Sequence, residues 1–258
     1  MRTLAKQPTP KPTPVPKYLN FRETPNKYGL DQTPVALVIH ATLGAAHGAI
    51  DWLCTTPEER EGVTGVKSYS SAHSVIDRVG NVTELADIAH GTWHAGRVAK
   101  PTQRALDVLP KKRFGGLKNP NKSTIGIEFA CGYDVDRDGT VEGWEKNYTP
   151  QQITACARYI IEWIEPEIER YYGERVEFGN HNIITHRDIT AGKPDLSIQR
   201  AMLVAELDKQ RRTLGNKEKK VASVNKRGIH TFSTQQLLAE AMGRKNFFPT
   251  LIKQLRKK

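Results

Sequence analysis

The chain has 258 residues, 38% of them apolar, and a net charge of +11. That length suits one good-sized core with tails. No run of about 18 apolar residues occurs, so no membrane span is expected, and a soluble chain is. Three cysteines, Cys54, Cys131 and Cys156, are an odd set without close pairing. They argue against a disulfide framework and a cysteine-rich zinc site, and are read as reduced thiols. The charge is unevenly spread: residues 216–258 hold eleven Lys/Arg against two Glu, a local +9. A nearly neutral body with a basic tail does not fit a nucleic-acid-binding domain, so no nucleic acid is expected as a partner.

The N-terminus lacks the apolar stretch of a secretory signal peptide. In PTPKPTPVP, residues 8–16, proline at every second position favours an extended, polyproline-like arm. The arm is assigned to 1–29, with folding expected to begin near residue 30. VALVIHAT (35–42) reads as a buried strand and GAAHGAIDWLCTT as a helix. SAHSVIDRVGNVTELA (71–86) reads as two strands joined by a turn at Val79-Gly80-Asn81, and STIGIEFAC (123–131) as a further strand. Residues 149–172 form the strongest helix candidate: Thr149 and Gln152 make a capping box, Pro150 suits the first turn, and Pro166 is a kink or break. Another helix is expected from 197 to about 212. The fold class is therefore α/β, a single mixed β-sheet flanked by helices over 30–213, followed by a basic helical tail at 214–258.

THRDITAGKPD, residues 185–195, is too irregular for a core helix or strand, yet it holds His186, Lys193 and Asp195 together. His40 lies at the end of the first strand. Two histidines and an aspartate make an N,N,O set suited to zinc, which in catalytic sites keeps three protein ligands and leaves a fourth position for water. Taken alone, Asp195 could equally pair with Arg187 or Lys193.

LVIHAT, SAHSVIDRVGNVTEL, GTWHAG, NKSTIGIEFA and THRDITAGKPD occur in the order and approximate spacing found in the zinc-dependent N-acetylmuramoyl-L-alanine amidases, which the chain resembles over about residues 35–200. The family includes phage lysozymes and peptidoglycan recognition proteins. The resemblance implies one catalytic zinc ion on His40, His186 and Asp195, with Glu128 as general base and Lys193 facing the substrate carbonyl. It also implies cleavage of the amide between N-acetylmuramic acid and the L-alanine of the peptidoglycan stem peptide, by zinc-activated water. Some relatives assist with a tyrosine on the second strand, where this chain has Ala72 before His73, which strengthens the assignment to Glu128. His94 matches a cleft position, a contact to glycan or stem peptide or else a loop support. His73 lies beside the site as a further substrate-side or supporting residue. The alternative of the same fold is a non-catalytic peptidoglycan-binding module.

DVDRDGTVEGWE, residues 134–145, matches the twelve-residue calcium loop, with candidate ligands Asp134, Asp136, Asp138, Thr140, Glu142 and Glu145 and Gly139 at the sharp turn. A structural Ca2+ is expected there; the bland reading is a solvated acidic turn. In the tail, apolar residues from Leu237 to Leu255 accompany the basic ones, as in a segment that docks on a phage structural protein or binds an anionic envelope surface. Arm, tail and missing signal peptide point to a phage product: made in the host cytoplasm, it would reach the wall through a pore for lysis or act from a virion; the other reading, a cytoplasmic wall-recycling enzyme, would not need these appendages.

Overall fold

The computed structural model describes residues 14–30, 33–42, 44–109, 116–131, 148–193 and 197–230, with side chains of the last stretch for 200–216 only. The expected arm holds two short strands, β1 (Leu19–Phe21) and β2 (Lys27–Gly29). The fold thus begins well before residue 30, because main-chain pairing with later strands fixes this polar stretch in place. The run at 35–42 forms β3 (Ala36–Ala41), followed by α1 (Ala46–Leu53) and α2 (Pro57–Thr64). Thr56 and Glu59 close a capping box at the start of α2, and Gly65 ends it in the left-handed region.

The expected hairpin is β4 (Ser74–Ile76) and β5 (Val82–Glu84), antiparallel to one another. Asp77 Oδ1 accepts from the backbone N–H groups of Val79 and Asn81, and Gly80 takes the positive φ of the turn, +90°. After β6 (His90–Thr92) and α3 (Gln103–Val108), a 3-10 turn at Pro120–Lys122 leads into β7 (Thr124–Phe129).

The long helix begins as α4 (Pro150–Tyr159) with the expected Thr149–Gln152 capping box. It passes through a π-helical turn at Ile160–Ile164 and continues as α5 (Glu165–Tyr172). Pro166 therefore does not end the helix: it has no N–H to give the preceding turn, and the wider π spacing accommodates its ring. β8 (Ile183–Thr185), α6 (His186–Ile189) and α7 (Ser197–His230) follow, the last elements among the described residues. By internal contacts the chain divides into two units, Met1–Gln210 and Arg211–Lys258.

The main sheet is mixed and six-stranded, in the order β1-β5-β4-β7-β3-β8; a second sheet, not anticipated, pairs β2 with β6. β4, β7, β3 and β8 run parallel. Along β3, Leu37 and Ile39 enter a large core with Ile125, Ile127, Phe129, the α4–α5 helix, and Leu203 and Leu207 of α7. Ala36 and Val38 face the other way, against Ala95, Leu109, Ile184 and Ile189. A strand buried on both faces must be apolar throughout, as ALVI is, so the histidine that ends the run stands out. By the two-residue period of a strand, His40 shares its face with Ala36 and Val38.

Candidate active site

β3 and β7 are in register, with Ala36 opposite Thr124, Val38 opposite Gly126 and His40 opposite Glu128. Ile39 of β3 is opposite Thr185 of β8, so His186, the next residue, arrives at the level of His40. His40, Glu128 and His186 thus meet at the C-terminal ends of three adjacent parallel strands, where open α/β sheets bind their ligands. THRDITAGKPD is not wholly irregular. Thr185 and Asp188 form a capping box that starts the one-turn helix α6, and Gly192 takes φ +83° beyond it.

These side chains border a cavity of about 620 Å³, lined by His40, His94, Glu128, His186 and Lys193 together with the exposed Trp52 and Trp93. Nδ1 of His40 lies 3.1 Å from Nδ1 of His186, and Nε2 of His40 lies 3.0 Å from Nδ1 of His94. Burial, reinforced by His186, holds His40 well below the usual histidine range, and burial does the same to His94. Burial first, then the neighbouring Lys193 charge, brings His186 down to about 4. All three imidazoles are neutral at pH 7, the state in which a ring nitrogen offers a lone pair to a metal.

His94 is held from several sides. Asn121 Oδ1 accepts from the backbone N–H groups of His94 at 3.1 Å and Ala95 at 2.7 Å. The ring rests on Gly126, where an added Cβ would lie 2.4 Å from His94 Cγ. Behind it stands His73, with ring centroids 5.9 Å apart. His73 is fully engaged: Nδ1 accepts the Gly126 N–H at 3.0 Å, and Nε2 donates to the His90 carbonyl at 2.9 Å. It is buried, and its pKa is lowered to about 4 by that burial.

The facing nitrogens of His40 and His186 fit a tetrahedral metal. Two nitrogens at about 2.0–2.1 Å from one zinc ion stand about 3.3 Å apart. Among the described residues no group of three or more His, Cys, Asp or Glu side chains is arranged to hold a metal ion. The expected third ligand, Asp195, lies outside the described residues, as do all six candidate calcium ligands from Asp134 to Glu145. Trp52, Trp93, Asn121 and Thr124 were not singled out from sequence. For Trp93 and Thr124 a signal existed: Trp93 sits inside GTWHAG, and Thr124 is in phase with Glu128 along β7.

Neutral imidazoles and a carboxylate around one open cleft at the C-terminal ends of parallel strands make a site equipped for hydrolysis. Residues 30–196 match the family described as N-acetylmuramoyl-L-alanine amidase, and the chain belongs to that family. Among solved structures it is similar to a selenomethionine derivative of AmpD (19% identity, 74% of this chain and 96% of that one, TM-score 0.45). It is also similar to the Staphylococcus aureus hydrolase AmiA in complex with its ligand (14% identity, 75% and 83%, TM-score 0.42). A third likeness is to an endolysin of a Thermus scotoductus bacteriophage (13% identity, 73% and 98%, TM-score 0.39). No curated protein sequence matches the chain.

Proposed function

We propose that this member of the amidase family hydrolyses the amide joining the lactyl group of N-acetylmuramic acid to the L-alanine of the stem peptide. The observation that supports it is the meeting of His40, His186, Glu128 and Lys193 at one cavity. In this reading zinc is held by His40, His186 and Asp195; when bound, it polarises the scissile carbonyl and makes a water acidic enough to attack near pH 7. Glu128 takes the proton of the attacking water as oxygen bonds to the carbonyl carbon. It then delivers a proton to the alanine nitrogen as the C–N bond breaks, leaving a lactyl carboxylate and a free stem peptide. Lys193 donates to the oxygen that gains charge in the tetrahedral state, a contribution of roughly 3 kcal/mol for one such donor elsewhere.

His94 borders the cavity directly and is the one of the two expected substrate-side histidines that can touch substrate; His73 acts from behind it. Trp52 and Trp93 offer exposed aromatic faces to sugar rings on the same cavity. Digesting purified peptidoglycan and identifying the fragments by mass spectrometry tests the bond assignment. Stem peptides with a free L-alanine amine are expected; fragments cut within the glycan or the peptide would refute it.

The finer roles rest on sequence. A structural calcium in 134–145 is supported by the loop pattern. A phage role, in lysis or wall penetration with the tail docking on a phage structural protein or an anionic envelope surface, is supported by the Pro-rich arm and the basic tail. The virion form of that role predicts the protein in purified particles by mass spectrometry, and its consistent absence there would count against it.

A further inference from the structure

The hydrogen bonds around His94 fix where its proton sits. Thr124 Oγ1 donates to the Pro120 carbonyl at 2.8 Å, so its oxygen is left to accept from His94 Nε2, 3.1 Å away. The Thr124 carbonyl, which can only accept, lies 3.4 Å from the same nitrogen. Both neighbours require a proton on His94 Nε2, and the neutral ring then presents Nδ1 as an acceptor. The group 3.0 Å from that acceptor is His40 Nε2, which must therefore carry the proton of its own ring. His40 Nδ1 is left with its lone pair directed to the side where His186 Nδ1 stands at 3.1 Å.

We infer that His94, held by Thr124, is a positioning residue that sets the tautomer of His40 and turns its Nδ1 lone pair towards the metal position. The chain runs Pro120 carbonyl, Thr124 hydroxyl, His94, His40, and each link settles the next. A ligating imidazole needs its second nitrogen committed in this way, or it spends part of its population in the tautomer that cannot ligate. The neighbouring structure preserves the link. Gly126 leaves room for the His94 ring, and Asn121 holds the His94 backbone, so the acceptor cannot drift from His40. The consequence for metal affinity rests on the zinc reading above; the tautomer assignment stands on the hydrogen bonds alone.

Two measurements on the full chain separate these. With metal stripped by chelation, long-range 15N–1H spectra of the histidine rings should show His40 and His94 both protonated at Nε2. A His40 protonated at Nδ1 would overturn the relay. Zinc affinity by competition with a chromophoric chelator should then fall about 10–100-fold in His94→Leu, the range seen when such outer partners are removed. In His94→Asn most of the affinity should be kept, because Oδ1 accepts the same proton. Zinc binding by His94→Leu as tight as by the unaltered chain would overturn the positioning role. Failure of the unaltered chain to bind zinc would sink the zinc reading itself, while the ring spectra would still decide the tautomers.

Discussion

His40 and Glu128 are register partners on adjacent parallel strands, and both side chains belong to the sheet face turned away from the large helical core. The proposed general base and the proposed metal-binding imidazole are thereby held at a separation that the sheet itself fixes. Glu128→Gln keeps shape and hydrogen bonding but cannot carry a proton. Stem-peptide release should drop by about 10²–10⁴-fold, while zinc affinity and thermal midpoint stay close to those of the unaltered chain. Undiminished release would remove Glu128 from the chemistry.

Glu84 should make stability depend on pH. It is buried at 6% exposure, and its Oε2 accepts from Tyr159 Oη at 2.9 Å and Trp163 Nε1 at 2.6 Å. Burial, only partly offset by those two donors, raises its pKa from 4.5 to about 7. The folded state therefore holds this proton more tightly than the unfolded one. Its contribution is complete below about pH 4.5 and is lost as pH rises towards 7, an effect on the order of 3 kcal/mol. Glu84→Gln, which cannot ionise, should flatten that part of the curve and be the more stable chain above pH 7. Urea unfolding across pH 4–8 measures it, and parallel curves for the two chains would refute it.

Gly126→Ala should disturb the site through contact alone. The new methyl would meet His94 Cγ at 2.4 Å and Nδ1 at 2.7 Å, and the Asn121 clamp on the His94 backbone leaves the ring little room to retreat. Overpacking of this kind costs about 1–3 kcal/mol. The urea midpoint should fall accordingly, with zinc affinity falling too. An unchanged midpoint would mean that the ring moves freely.

Calcium, if the loop at 134–145 takes it, should stabilise by mass action. At a hundred times the dissociation constant the gain is about 2.7 kcal/mol. A rise in thermal midpoint with calcium but not with magnesium, abolished by Glu145→Gln, is the expected result. No shift with either ion would leave the segment an acidic turn.

Much of this architecture was legible because it has a local cause. The Thr149–Gln152 capping box, the Gly80 turn and the double-faced apolar run of β3 each depend on neighbours in sequence. The alternation in TIGIEF is equally local: Ile125, Ile127 and Phe129 enter the core while Thr124, Gly126 and Glu128 form a polar stripe towards the site. What escaped was non-local or short. β1 and β2 have three residues each, too few for a period to show, and exist because partners distant in sequence pair with them. The Thr185–Asp188 box was readable, but the Gly and Pro that follow hid the single turn it starts. The phase of Thr124 along β7 was readable, but its hydrogen bond to His94 was not, since it depends on a ring thirty residues earlier coming to rest against it.

The most direct test is hydrolysis of purified peptidoglycan by the full chain before and after chelation, followed by return of zinc alone. Release of stem peptides beginning with L-alanine is expected, with its loss on chelation and its recovery with zinc. Equal release from the stripped and the zinc-restored protein would contradict the metal-assisted mechanism, and wall binding without release under any of these conditions would contradict the enzyme.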